Sequence, residues 1–456
     1  MSSLVQSLES ALRQGPRPLA DLLPRLGISR HAFGRLVRGH PHRSLRIGAR
    51  KTARYALARS IPGVASPVPV FEWGHSVTEA PRHLLNLIPI EPRGFAVLPA
   101  EGGPATAYDD LPWFLHDHRP RGFLGRQIPR LYPDLHAPDD IRLWSADDVL
   151  RYATTVASSP PGSLVVGRAP LLTSRHFQAP SAAAPTVAAL LPLLAQRVEA
   201  NLHAPTAGSS AAGEQPKLLA TLTPESGPVD LIVKYSPPLG TAVGRRTADL
   251  LIAEHIAGEV IHQHHPGWAA LSEVHTHANR VWLLSHRFDR TASGGRVGCV
   301  SLEAVNAELT GVYPRRWSIA ARELASQKLL SRDDVARIEW LEAFGWGIGN
   351  TDMHFGNLTL GLRGTTINGV RPIYDMLPMA WMPRHGEVPR VSDLRPAPAD
   401  LSSIATEAIR DFWTCVAMHA DISQPFRTIA ETTRSRPTKH PSPVPTPSAD
   451  KTARRR

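Results

Sequence analysis

Cysteine is nearly absent: the 456 residues hold two, Cys299 and Cys415. Two thiols exclude a disulfide framework and a four-cysteine metal site, so both read as structural thiols of a chain kept in a reducing compartment. Long apolar runs are missing as well. No stretch approaches the ~20 residues needed to cross a bilayer, and the N-terminus lacks the basic-then-apolar order of a secretory signal. The expectation is a cytoplasmic protein with no membrane partner. Aromatic residues are sparse at 6%, but the 42% apolar share is ordinary for a folded chain, and the length allows two or three domains.

Acidic residues are scarce at both ends. Residues 1–60 carry 12 Lys/Arg against 2 Asp/Glu, and residues 427–456 carry 8 against 2. Of the formal +11, these ends account for +10 and +6, which leaves −5 for residues 61–426. The basicity therefore belongs to separable ends and not to the whole surface.

Residues 4–14 and 18–26 place apolar side chains at helical spacing, with Gly15 and Gly27 as stops, and Ser29 is a candidate N-cap for a third helix from Arg30 to Arg38. Residues 44–48 and 51–59 read as two strands around a basic turn. Helix, helix, tight turn, helix and hairpin is the order of a winged helix-turn-helix, so residues 1–60 are expected to form a DNA-binding domain. Its third helix would enter the major groove with Arg30, His31, Arg35 and Arg38, while Arg50, Lys51 and Arg54 on the wing would touch the backbone. The alternative is a protein-binding unit whose basic face is only solvated. A charge of +10 in 60 residues favours double-stranded DNA, because affinity scales with the phosphates neutralised. Such heads often act as two-fold dimers, which makes a homodimer the default expectation.

Pro62, Pro67 and Pro69 mark residues 61–69 as a linker. Residues 70–200 mix strand-like and helical runs and carry no chemistry legible from pattern. Residues 201–426 run through a Gly/Ser loop, strand pairs around 218–234, a helix at about 246–262, a strand at 280–288 and then mainly helices. A strand-rich lobe followed by a helical one leaves a cleft between them. The last stretch, 427–456, is expected to be a disordered basic tail, rich in Pro, Ser and Thr from 434 onward.

The most informative segment is Gly349-Asn-Thr-Asp352-Met-His354-Phe-Gly-Asn357, with Asp375 following 18 residues after Asn357. Phosphoryl transfer needs one carboxylate to orient the attacking hydroxyl, and an Asn plus a second carboxylate to hold magnesium on the phosphates. The five-residue step from Asp352 to Asn357 matches a kinase catalytic loop. Taken alone, both residues could instead satisfy turn backbone groups. Upstream, Ser209 to Lys217 is a loop of small residues entering a strand, whose amides would approach phosphate oxygens closely. Lys234 is embedded in an apolar strand, Leu231 to Tyr235, either snorkelling at an edge or pointing into the cleft. Its partner on the following helix is open between Asp249 and Glu254, either of which would otherwise be a solvated helix charge. Arg287, Asp289 and Arg290 read as a structural ion-pair cluster.

Four ordered motifs, SSAAGEQPK, LIVKY, HRFDR and TDMHFGN with YDM, resemble the HipA-like serine/threonine kinases, the toxins of bacterial toxin–antitoxin systems, over residues 70–425. The resemblance implies an α+β, two-lobed protein-kinase-like (HipA) fold, here preceded by the winged helix-turn-helix. It implies Asp352 as catalytic base, Asn357 and Asp375 as magnesium ligands, and Lys217 and Lys234 on the phosphates of ATP, with Ala211, Ala212 and Gly213 in the phosphate-side loop. His286 and Phe288 would lie against the adenine, with His354 and Tyr374 bordering the nucleotide. Ser210 matches the position whose autophosphorylation ejects the loop and shuts the family's enzymes off. The implied target is a host translation component, such as an aminoacyl-tRNA synthetase, with growth arrest as the outcome. Fusion of a DNA-reading head to the kinase resembles a single-chain branch that regulates its own promoter. Two rivals stand beside this reading: a DNA-binding regulator whose kinase-like body senses nucleotide or is inactive, and a small-molecule kinase.

Overall fold

The computed structural model describes residues 3–40, 44–49, 52–156, 159–173, 182–202, 215–314, 316–389, 394 and 397–435. The head is built from α1 (Ser3–Leu12), β1 (Arg17–Pro18), α2 (Leu19–Leu26), α3 (Arg30–Gly39), β2 (Ser44–Ile47) and β3 (Arg54–Leu57). Gly27, at φ +62°, closes α2 in the left-handed region, and the Ser29 hydroxyl accepts the Ala32 N–H at 3.3 Å to open α3. The strands form one small sheet in the order β1-β3-β2, and the two-residue β1 is an addition that the sequence pattern did not announce. Leu8, Leu12, Leu22, Leu26, Phe33 and Leu57 fill the space between helices and sheet.

The other side of this sheet is not free. Ile47 and Ala56 pack with Ile90, Ala96 and Ala105 of the next unit, and the Gly48 N–H donates to the Ala105 carbonyl at 2.7 Å. Arg59 donates to both carboxylate oxygens of Asp147, at 2.6 and 2.7 Å, and to the Ile90 carbonyl at 3.0 Å. The expected linker at 61–69 is therefore corrected. Ile61 and Val68 are buried, and Val68 and Pro69 already belong to strand β4 (Val68–Glu72). Its prolines suggested a spacer, but the apolar residues between them have a core to fill, and burial overrides the local signal.

The middle unit is an antiparallel sheet, adding β5 (Arg82–Pro89), β6 (Phe95–Pro99), β7 (Thr106–Tyr108) and β8 (Leu164–Val166) in the order β7-β6-β5-β4-β8. Helix α4 (Ala146–Thr155), opened by a Ser145/Asp148 capping box, buries Val149, Leu150 and Ala153 in its core.

A second five-stranded sheet forms the small lobe: β9 (Ala182–Ala184), β10 (Lys217–Leu222), β11 (Val229–Tyr235), β12 (Ser272–His277) and β13 (Arg280–His286), in the order β12-β13-β11-β10-β9. Helices α5 (Val187–Leu202) and α6 (Ala242–His264) lie on it. Leu190, Leu191 and Leu194 of α5 pack with Leu231, Val233, Trp282 and Leu284, while Val281 and Leu283 join the core that contains Leu250, Leu251 and Ile256 of α6. Strand alternation thus gives each helix its own face. Residues 182–202 belong to this lobe, so the boundary expected at 200 moves upstream.

The large lobe holds β14 (Cys299–Ser301), α7 (Trp317–Ser326), α8 (Arg332–Gly347), β15 (Thr359–Arg363), β16 (Thr366–Val370), α9 (Thr406–Met418) and α10 (Gln424–Arg434). Helix α10 corrects the tail expected from 427: Phe426 and Ala430 are buried against α9, so the chain stays folded to Arg434, and residues 436–456 lie outside the described residues. No helix among the described residues is long and apolar enough to cross a membrane.

Candidate active site

The strand register decides where the two lysines point. Lys217 on β10 sits directly opposite Lys234 on β11, and Lys234 opposite Leu283 on β13. Directly paired residues share a face, so both lysines stand on the α6 side of the sheet. There the Lys234 ammonium donates to both oxygens of Glu254, at 2.6 and 2.7 Å, and forms an ion pair with Asp375 from the large lobe. The open choice of partner closes on Glu254. Asp249, one turn earlier, turns the other way and accepts the N–H and hydroxyl of Ser423 at 2.7 and 2.6 Å. Five residues apart, the two carboxylates leave α6 in different directions, and the folded chain shows which direction faces Lys234 and which faces Ser423.

Burial pulls Lys234 down, but the charges of Asp375 and Glu254 outweigh it and hold the ammonium above the ordinary lysine range. Burial likewise pushes Asp375 up, and Lys234 and then Lys217 overcome this, bringing it down to about 2. Burial is the largest influence on Glu254 and leaves its carboxyl raised. The triad is a charged, lobe-bridging unit with Lys217 close by.

The catalytic-loop segment begins where α8 ends. Gly349, at φ +78°, turns the chain against Trp381 and Leu394, where a Cβ would come within 2.8 and 2.5 Å of their side chains. Asp352 is exposed at the tip. Asn357 is buried, and its Nδ2 donates to the Asp352 carbonyl at 2.9 Å, which commits the nitrogen and leaves Oδ1 as the oxygen to offer. Trp317, itself buried, donates its indole N–H to the His354 carbonyl at 3.1 Å, and the His354 Nδ1 accepts the Gly356 N–H at 3.0 Å. The Tyr374 hydroxyl donates to the Gly356 carbonyl at 2.9 Å, and its ring lies 5.8 Å from that of Phe288. Asp375 has φ +54°, a left-handed conformation uncommon outside glycine.

Lys217, Lys234, Asp352, Asn357, Tyr374, Asp375 and Phe288 are thus brought around one cleft, with His354 exposed on its rim. His286 is not gathered with them: it pairs opposite Leu231, on the α5 face, and its Nε2 lies 3.7 Å from Glu273. The sequence left Glu254 as one of two candidates and did not single out Asn350. The signal for Glu254 was a carboxylate in the middle of the helix that follows the lysine strand. Asn350 had no signal beyond its place in the motif. Ser210, Ala211, Ala212 and Gly213 lie outside the described residues.

Arg287, Asp289 and Arg290 form the expected ion-pair cluster. Asp289 accepts from Arg287 at 2.9 and 2.8 Å, from Arg290 at 2.8 Å and from the Gly162 N–H at 2.9 Å, tying the small lobe to the middle unit. In the head, Arg30, His31, Arg35 and Arg38 are exposed on α3 and Arg54 is exposed on β3, whereas Arg50 and Lys51 lie outside the described residues. Cys299 is half-buried and burial pushes its thiol up; Cys415 is exposed.

The two lobes and the elements between them define a kinase-like fold. Among solved structures, the HipA chain of the complex of HipA, HipB and operator DNA from Shewanella oneidensis MR-1 superposes with a TM-score of 0.50 at 14% identity, over 80% of this chain and 95% of that one. The proinflammatory kinase CtkA of Helicobacter pylori aligns with a TM-score of 0.32 at 12% identity, over 52% of this chain and 92% of its own. Residues 209–436 match the HipA-like C-terminal domain, and residues 66–175 match the middle domain of YjjJ-like toxins. Toxin YjjJ of Escherichia coli (strain K12) is 36% identical over 436 residues, which is 94% of this chain and 96% of that protein. The chain belongs to the HipA-like toxin family.

Proposed function

We propose that this protein is a MgATP-dependent serine/threonine kinase that acts as a growth-arresting toxin on a host protein, a translation component being the expected target. The observation that carries the reading is the Lys234–Glu254–Asp375 triad facing the Asp352–Asn357 loop across the cleft. Lys234, fixed from both lobes, and Lys217 beside it would neutralise phosphate charge. Asp352, exposed and anchored through its backbone, would accept the hydrogen bond of an incoming hydroxyl and take its proton as the oxygen attacks the γ-phosphorus.

Among the described residues no group of three or more His, Cys, Asp or Glu could hold a metal ion by itself. With Asp352 cast as the base and Glu254 held by Lys234, the groups left for a cation are the Asp375 carboxylate and the Asn357 Oδ1. That fits magnesium, which uses one or two carboxylates together with substrate phosphates and water. When bound, the ion would supply charge neutralisation on the phosphates.

The head supports a second activity in the same chain. Its helices and hairpin follow the order of a winged helix-turn-helix, and α3 presents four exposed basic side chains. We read it as a double-stranded DNA reader serving autoregulation, with a homodimer as the form expected on a palindromic site. Part of the wing sheet is taken up by the middle unit, so α3 carries the reading.

The test is to incubate the full chain and an Asp352→Asn variant with labelled MgATP and a cell lysate, then map the labelled residues. Label on Ser210 and on one host protein, absent with the variant, supports the kinase. Tight ATP binding with no label from either would replace it with a nucleotide-sensing DNA-binding regulator.

A further inference from the structure

Asn350 touches neither of the places where substrate would sit, yet both ends of its carboxamide are engaged. It is 5% exposed. Its Oδ1 accepts the Asp352 N–H at 3.0 Å, and its Nδ2 donates to the Asp375 carbonyl at 3.2 Å and lies 3.7 Å from the Met376 sulfur. One side chain therefore spans the loop that would orient the hydroxyl and the loop that would hold the cation. Its own backbone is pinned: the Asn350 N–H donates to the Gly345 carbonyl at 2.8 Å, and the Gly349 carbonyl accepts the Ala380 N–H at 3.0 Å.

Asp375 needs such support. At φ +54° Asp375 occupies the small left-handed region, which aspartate enters more readily than most residues but which is still less favoured than the main basins. Asp375 lies outside the strands and is half-buried, and a carbonyl at such a turn needs a donor. The Asn350 amide is that donor. We propose that Asn350 is a positioning residue that holds Asp375 in its left-handed, cation-ready conformation and sets the register of the Asp352 loop against it.

The inference rests on the kinase reading above and concerns how its metal carboxylate is aimed. Only a residue with donor and acceptor at this spacing does both jobs. Leucine has the same branched outline with bulkier ends and makes neither bond, and serine is smaller, is neutral and falls short of the Asp375 carbonyl. A merely structural role would lower stability without singling out the cation, whereas supports behind a metal ligand typically change metal affinity ~10–100-fold.

The experiment measures ATP binding to the full chain by calorimetry, with and without Mg²⁺, for the wild type, Asn350→Leu and Asn350→Ser, each checked by thermal melting. Wild type is expected to gain affinity from Mg²⁺. Both variants should keep the Mg²⁺-free affinity within about twofold and need ~10-fold or more Mg²⁺ to reach the wild-type gain. If Asn350→Leu does not fold, the Asn350→Ser chain is judged by the same criterion. A folded variant with an unchanged Mg²⁺ requirement overturns the proposal, and so does equal weakening with and without Mg²⁺. A wild type that binds ATP with no gain from Mg²⁺ removes the kinase reading itself, and the role of Asn350 with it.

Discussion

Two buried ion networks sit in this molecule, one around Lys234 and one around Asp289, and they are built to opposite ends. Asp289 is closed: four donors from two arginines and a backbone amide converge on its two oxygens, and the side chain is 8% exposed. The Lys234 group is left open. Asp375, its far member, is 24% exposed along its side chain and stands on a left-handed residue. Both networks involve costly desolvation. The first recovers it within the structure, as a clamp between lobe and middle unit. On the proposed reading, the second keeps a carboxylate for a cation.

The sharpest way to test that contrast is to remove one charge from each functional class. Asp352→Asn should lower phosphoryl transfer about 10²–10⁴-fold, the usual worth of a positioned base, while the melting temperature stays near that of wild type. Asp289→Asn should do the reverse. It leaves Arg287 and Arg290 buried without their counter-charge and should reduce stability by ~3–5 kcal/mol in denaturant unfolding, with turnover of the folded fraction little changed.

Both networks weaken on acidification. Asp289 and Asp375 both have folded pKa values depressed below the usual carboxylate range near ~3.9. Their contribution to stability is therefore present in full above that range and is lost as the pH falls through it, toward about 2 for Asp375. Melting curves between pH 6 and pH 2 should fall steeply for wild type, and Asp289→Asn should show the shallower acid slope.

A smaller effect is expected within the open network. Glu254→Gln leaves Lys234 one ionic partner, Asp375, and frees it to shift; a displacement of ~1 Å in such a site costs up to ~10²-fold, so turnover should drop by roughly that order at most. Smallest of all is the clamp on the head. Arg59→Ala removes a bidentate, half-buried pair with Asp147 and should cost ~1 kcal/mol, read as earlier hydrogen exchange in residues 3–57 without loss of transfer activity.

Much of the site was legible because its chemistry is local in sequence. Asp352 and Asn357 leave one loop five residues apart, and the Asn357 amide holds the two ends of that step together by donating to the Asp352 carbonyl. The choice between Asp249 and Glu254 was not legible, because both lie on the apolar-rich helix α6 and only the docking of Ser423 claims one of them. The face of His286 was hidden for the same kind of reason, since a strand's two faces are named only when its neighbours are.

The sequence by itself determined the helices of the head, the strands around 218–234 and 280–288, the basic charge of the N-terminal end, and the ordered motifs that carry the family. Tertiary structure decided which of these elements share a core. It turned a proline-rich spacer into a buried strand, folded the start of the basic tail into α10, and brought Asp375 across the cleft to Lys234. The physical reason is that capping and periodicity act over a few residues, whereas burial and charge pairing join residues far apart in the chain, and their partners exist only once the chain has folded.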